Sequence, residues 1–157
     1  MPLAYTGHLI ERELFGGAKP EKNAELKDRY VKYRDAVNIA KERQPIHETE
    51  FSISLRSKIG EIMEFGIDKI KIFTAIGTPL DKYHGVDAFV ETDLSQGRKV
   101  VVTLDVTQNP NKGDNYKADI VFFVPSDGID QELDKAGYDE IVNEVAQQVV
   151  DRIKESK

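Results

Sequence analysis

HGVDAFVETDLSQGRKVVVTLDVTQNPNK, residues His84 to Lys112, reads as two extended runs joined by a turn. In the first run Val86, Ala88 and Val90 alternate with Asp87, Phe89 and Glu91. In the second, Val100, Val102, Leu104 and Val106 alternate with Val101, Thr103, Asp105 and Thr107. Side chains two apart on a strand share a face, and Gly97 with Asp93 and Ser95 supplies turn chemistry between the runs. A three-residue turn at 95–97 sets position 94 against 98 and places Asp87 directly opposite Asp105. A five-residue turn pairs Asp87 with Thr103 and leaves Asp105 a diagonal neighbour, whereas a four-residue turn sends the two carboxylates to opposite faces.

Two carboxylates on one face of a mostly apolar hairpin need a counter-charge, because buried charges are normally paired or metal-bound. A hard divalent cation such as Mg²⁺ fits, since it takes oxygen ligands and binds through one or two carboxylates plus substrate phosphate. The plainer alternative is a solvent-exposed face that the aspartates keep soluble.

At 157 residues the chain is long enough for one domain with a proper core, residues 1–157, and too short to make a second expected. A hydrophobic content of 39% beside 32% charged residues fits a soluble globular protein. No apolar run approaches a membrane span, and the N-terminus lacks the apolar core of a signal peptide. The absence of cysteine excludes disulfides and thiolate metal sites, in agreement with a cytoplasmic protein. The net charge of −6 argues against a protein that coats nucleic acid non-specifically, so any phosphate contact must come from a local basic patch. An enzyme acting on nucleic acid remains compatible with that charge, because a metal-binding carboxylate cluster is itself acidic.

Residues 1–20 form an arm, irregular or partly helical, with a short apolar piece at Leu9, Ile10, Leu14 and Phe15. It could pack on the body or on another copy of the chain. Residues 21–43 predict an amphipathic helix between Pro20 and Pro45, within an N-terminal segment 21–45. Leu26, Tyr30, Tyr33, Val37 and Ala40 make one stripe on it, which at this spacing is expected to be core. A second helix covers 50–66, with Phe51, Leu55, Ile59, Ile62 and Met63 on one arc. Glu61 lies just beyond that arc and is the glutamate best placed to lean over a covered sheet; the alternative is an ordinary exposed charge.

A strand is expected at 69–76, a loop through GTPLDKYHG, the hairpin, a polar turn at 109–115 and a last strand at 118–124. The C-terminal segment 125–157 predicts a short helix near 129–136 stopping at Gly137. A closing helix at 138–155 then puts Ile141, Val142, Val145, Ala146, Val149 and Ile153 on one face. Helices before and after four strands predict an α/β or α+β layered domain.

Glu61 in KIGEIMEFG, Asp87 in HGVDAFV and Asp105 in VVVTLDVT, in that order, resemble the PD-(D/E)XK nuclease-like superfamily across residues 50–124. The resemblance implies a restriction endonuclease-like fold, a central mixed four-stranded sheet with an antiparallel hairpin and flanking helices. It implies Mg²⁺ or Mn²⁺ held by Glu61, Asp87 and Asp105, with the carbonyl of Val106 beside the second aspartate, and hydrolysis of phosphodiesters in DNA. The lysine of the family pattern should stand two residues after Asp105, where this chain has Thr107. A hydroxyl carries no charge with which to stabilise a developing oxyanion. Lys112, Lys99 or Lys117 could reach the site instead; Lys99 is six residues from Asp105, roughly 20 Å along a strand, which favours Lys112. The family also places a helix between its third and fourth strands, and 109–117 is too short for a helical crossover, leaving a simple hairpin return of 118–124 as the alternative.

No serine elbow, cysteine nucleophile, phosphate-binding loop or dinucleotide fingerprint accompanies this pattern. His84 is expected to be a loop histidine without a role, and the scattered lysines flanking the strands either rim a phosphate site or are simply solvated. The function predicted is therefore a metal-dependent nuclease. The alternatives are a catalytically inactive nuclease-fold module that binds nucleic acid or assembles, and a structural protein self-associating through its arm and first helix.

Overall fold

In a computed structural model of the chain, residues 7–19, 30–45, 48–64, 66–94, 97–108, 118–125 and 132–156 are described, with side chains from Glu11 onward. They contain α1 (Gly7–Phe15), α2 (Tyr33–Glu42), α3 (Glu50–Met63), β1 (Ile70–Thr74), α4 (Pro79–His84), β2 (Ala88–Asp93), β3 (Lys99–Thr107), β4 (Ile120–Phe123) and α5 (Lys135–Glu155). One mixed sheet holds the strands in the order β1-β2-β3-β4, which makes this an α+β domain.

The hairpin closes as its turn residues dictate. Leu94 donates its N–H to the carbonyl of Arg98 at 2.7 Å, and Ala88 faces Leu104 through Asp93 facing Lys99. Gly97, at φ +72°, supplies the left-handed residue that ends a three-residue hairpin loop. β1 is antiparallel to β2 as well. The fourth strand departs from the simple hairpin return: β4 runs parallel to β3, with Leu104 beside Ile120 and Thr107 beside Phe123. The link from Gln108 to Asp119 has the length of about a dozen residues that a parallel crossover requires. Reciprocal bonds pin the start of β4, since Thr103 N–H donates to Asp119 at 3.0 Å and Asp119 N–H to the Thr103 hydroxyl at 2.8 Å.

Alternation gives the sheet two different faces. On one, Ala88, Val90, Val102, Leu104, Val106, Ile120 and Phe122 pack under α3 and α5. Phe51 of α3 stacks on Phe122 with ring centroids 5.9 Å apart. Each fully buried side chain of this kind contributes about 1.5–3 kcal/mol. On the other face, Phe73, Phe89 and Val101 are covered by Ala36, Val37 and Ala40 of α2 and Leu80 of α4.

Several expectations are corrected. The loop at GTPLDKYHG contains α4, begun by Pro79 at its first position, where a missing N–H costs nothing. Gly137 does not stop a helix near 129–136. Residues 132–134 are non-helical, and Asp134 caps α5 by accepting the Gly137 N–H at 3.0 Å, so Gly137 lies in the first turn. Of the predicted helix 21–43, the described residues are helical from Tyr33 to Glu42 and not at 30–32, and 20–29 lie outside the described residues. Ala36, Val37 and Ala40 of its stripe are buried, but Tyr30 and Tyr33 are 63% and 46% exposed. The stripe meets the sheet only as far as α2 lies on it, and Tyr30 precedes the helix.

β1 is an edge strand, and Gln44 blunts it. The Gln44 amide donates to the Thr74 carbonyl at 2.9 Å and accepts the Thr74 N–H at 2.9 Å, imitating a neighbouring strand. Gln44→Ala is expected to lower the melting temperature by about 2–4 °C, a loss of about 1 kcal/mol. Calorimetric melting checks this, and an unchanged midpoint would show that water replaces the amide without cost.

Candidate metal centre

The hairpin register, extended one residue beyond Ala88 and Leu104, sets Asp87 opposite Asp105 on the face that α2 and α4 share. Asp87 is anchored by the backbone on both sides. Its N–H donates to Leu104 at 2.9 Å and its carbonyl accepts from Ala75 at 2.8 Å. Its carboxylate Oδ2 accepts the Val106 N–H at 2.9 Å. The side chain is buried, with 2% of its surface exposed, whereas Asp105 and Thr107 are half-buried. One carboxyl group is thus inside the protein and its partner stands at the opening.

The two carboxyl groups share a hydrogen bond, which requires a proton between them. Burial, then that bond and the charge of Asp105, push the Asp87 carboxyl up from its ordinary 3.8 to about 10. The Val106 N–H pulls in the opposite direction without overcoming them. The pair therefore holds a proton in a position where a cation could serve the same electrostatic purpose.

A third carboxylate acts on Asp87 from the N-terminal arm. The charge of Glu11 in α1 adds to the rise of Asp87. Of the two options for the arm, packing on the body is the one observed. Leu14 and Phe15 are buried, and Phe15 meets Phe51 and Phe122 edge-on at 5.7 and 6.1 Å. The Thr49 hydroxyl donates to the Leu14 carbonyl, and that of Thr74 to Gly16 at 2.7 Å. These contacts clamp the C-terminal end of α1 to the start of α3 and the end of β1, which fixes where Glu11 sits. Glu11 was legible to a point: it precedes Phe15 by four residues, the spacing of one helix face.

Glu61 does not join the pair. Its side chain is 71% exposed and lies 3.3 Å from the Lys58 ammonium. The reason is local: Glu61 lies on the solvent side of α3, whereas Phe51, Leu55 and Ile59 turn the buried side to the sheet. Lys99 is also elsewhere, 3.6 Å from Glu91 and 3.8 Å from Asp93. Glu91, on the carboxylate face but roughly 13 Å along the strand from Asp87, is buried and neutralised by Lys41 and Lys99. Lys112 and Lys117 lie outside the described residues. Among the described residues, no group of three acidic or histidine side chains is disposed to hold a metal ion. What the fold brings together is two carboxyl groups, with a third within electrostatic reach.

The donor set fits a small divalent cation in one respect: all-oxygen ligands, two carboxylates, and an open side for water or substrate phosphate. A separate cavity of about 360 Å³ lies at the β1 edge, two strands from Asp105, between Lys71 and Phe73 on one side and Gln44, Glu48 and Arg56 on the other. Its charges are partly matched, Arg56 lying 3.2 Å from Glu48.

The chain matches no protein-family model, no curated protein and no solved structure. Among the described residues, no helix is long and apolar enough to cross a membrane.

Proposed function

We propose that the chain is a Mg²⁺- or Mn²⁺-dependent phosphodiesterase acting on DNA, with Asp87 and Asp105 as its metal carboxylates. The observation that carries this reading is the geometry of the pair: a buried Asp87 carboxyl, fixed by the Val106 N–H, set opposite half-buried Asp105 across the hairpin. A proton satisfies one charge there, and a divalent cation would satisfy both. The resemblance of Asp87 and Asp105 in their strand contexts to the PD-(D/E)XK pattern, and the mixed sheet that carries them, support the same assignment.

When bound, the cation supplies Lewis acidity toward the phosphoryl group and offsets charge developing on it. The residues of the chain do the rest. The Val106 N–H holds Asp87 Oδ2 in a fixed direction. Asp105, half-exposed, forms the open side that a phosphate would approach. Glu11 takes the helical-glutamate role that the sequence pattern gave to Glu61, as an acceptor for the proton of an attacking water. The Thr107 hydroxyl shares the face of Asp105 and can hydrogen-bond a phosphate oxygen, without the charge of a lysine. The restriction endonuclease-like fold belongs to this proposal.

Thr107 also favours a second reading, a module of the same fold that binds nucleic acid and the cation but no longer hydrolyses. Calorimetric titration with Mg²⁺ and Mn²⁺ tests the shared premise. Wild type is expected to bind with release of about one proton, seen as a dependence of the heat on buffer ionisation, and Asp105→Ala to bind neither ion. No heat from wild type at millimolar metal, with or without a DNA duplex present, would remove both readings. Binding without cleavage would select the second.

A further inference from the structure

The segments Tyr30-Val31-Lys32-Tyr33-Arg34 and Lys82-Tyr83-His84, far apart in the chain, meet through their rings. The Tyr30 ring contacts Tyr83 edge-on at 5.4 Å and His84 at 5.8 Å, and Tyr33 meets His84 edge-on at 5.7 Å. His84 Nε2–H donates to the Val31 carbonyl at 2.8 Å, which ties the end of α4 to the chain entering α2. The Lys82 ammonium stands 5.3 Å from the centre of the Tyr83 ring. Burial first, then the charge of Asp119, raises the pKa of the Tyr33 hydroxyl, so Tyr33 stays neutral.

Two properties set this cluster apart from a core. Tyr30 and Tyr33 keep 63% and 46% of their surface in water, and exposed Lys32, Arg34 and Lys82 are interleaved with the rings. In a chain of net charge −6, aromatic and basic residues alternate here over one small surface, with Asp35 and Glu42 in α2 and Asp81 in α4 the acidic members of the same two helices. Rings already held by contacts with one another lose little freedom when a further ring stacks on them. Ring faces plus cations are the two requirements of a single-strand binding surface, since every base has a π-face and every linker a phosphate. The location matches too: Asp87 follows His84 by three residues, at most about 11 Å of chain.

We propose that Tyr30, Tyr33, Tyr83 and His84 form a base-stacking platform for single-stranded nucleic acid, delivering its backbone toward Asp87 and Asp105. The choice of nucleic acid as the ligand rests on the phosphodiesterase reading. It implies a preference for single-stranded or frayed substrate over intact duplex, whose bases are already stacked on each other.

The chain has six tyrosines and no tryptophan, and three of the six are Tyr30, Tyr33 and Tyr83, so quenching that the cluster variants reduce reports on this surface. The full chain is titrated in EDTA and low salt with an oligothymidylate of about 12 nucleotides, a length within the usual single-strand site size. Saturable quenching is expected, with Tyr30→Ala and Tyr83→Ala each binding roughly 5- to 100-fold more weakly. An abasic oligonucleotide and a duplex of the same length should bind more weakly than the oligothymidylate. Tyr30 precedes α2 and is exposed, so Tyr30→Ala remains informative if Tyr83→Ala fails to fold. The proposal is overturned by absence of saturable binding, by a folded Tyr30→Ala variant that binds as wild type, or by equal affinity for the abasic strand, which would mean charge alone. Concentration-dependent self-association that Tyr30→Ala abolishes, with no oligonucleotide binding, would instead assign the platform to a second copy. With metal chelated, the result is independent of cleavage. Loss of the tyrosine effect leaves the metal reading standing, and loss of metal binding leaves the platform standing.

Discussion

Asp105→Ala is expected to lower Mg²⁺-dependent DNA hydrolysis by roughly 10²–10⁴-fold, the equivalent of the several kcal/mol a metal ion contributes to such a reaction. The expectation follows from the asymmetry of the pair. Asp87 is buried and committed to the Val106 N–H through one oxygen. Asp105 is half-exposed and stands where ion and phosphate would arrive. Removing it leaves a single carboxyl group that keeps its proton in preference to a weakly held cation. The substitution also takes away the acceptor of the Asp87 carboxyl proton, so the folded state should lose about 1–3 kcal/mol and still fold. Nuclease assays on linear and single-stranded DNA, with melting curves as a control for folding, check this. Glu11→Gln tests the third carboxylate in the same assay: activity equal to wild type would leave Glu11 a bystander. A well-folded Asp105→Ala protein that cleaves at the wild-type rate would dismiss the metal centre altogether.

A second large effect is expected from Asp87→Asn in the metal-free protein, and it has the opposite sign for stability. The Asp87 carboxyl titrates at about 10 in the folded chain and near its ordinary 3.8 when unfolded. Between those values the folded state holds a proton that the unfolded state has released. Stability from this group is therefore fully present below about pH 4 and declines as pH rises toward 10. Asparagine reproduces the protonated form, keeping an oxygen for the Val106 N–H and offering an N–H to Asp105. The variant should melt about 4–8 °C higher than wild type at pH 8, a gain of about 2 kcal/mol, and close to wild type at pH 4–5. Added Mg²⁺ should raise the melting temperature of wild type alone. A difference between variant and wild type that shrinks as pH rises would contradict the shared proton.

Much of the fold could be taken from patterning. The antiparallel hairpin, though not its turn length, followed from alternation plus Gly97, and the burial of Phe51, Leu55 and Ile59 on α3 and of Val142, Val145, Val149 and Ile153 on α5 followed from helical spacing. These features are local: side-chain period and turn geometry are properties of a few neighbouring residues. The misjudged elements depended on something distant. Tyr30 and Tyr33 carry the periodicity of a core stripe, but α2 meets the sheet only from Ala36 onward, and their rings go to α4 instead. Phe15 is buried because Phe51 and Phe122 arrive from other elements, so residues 1–20 read alone looked like an arm.

The carboxylate site divides along the same line. The sequence by itself placed Asp87 and Asp105 on two strands of one hairpin with three turn lengths open, and the Leu94–Arg98 closure decided that they face each other. Only the tertiary structure decided which helix looks at them. Glu61 points to solvent beside Lys58 on the outer side of α3, whereas the charge of Glu11 reaches Asp87 from α1, which is held to the start of α3 and the end of β1. Strand parity tells which residues share a face. It carries no information about which helix covers that face, which is settled by the packing of every element at once.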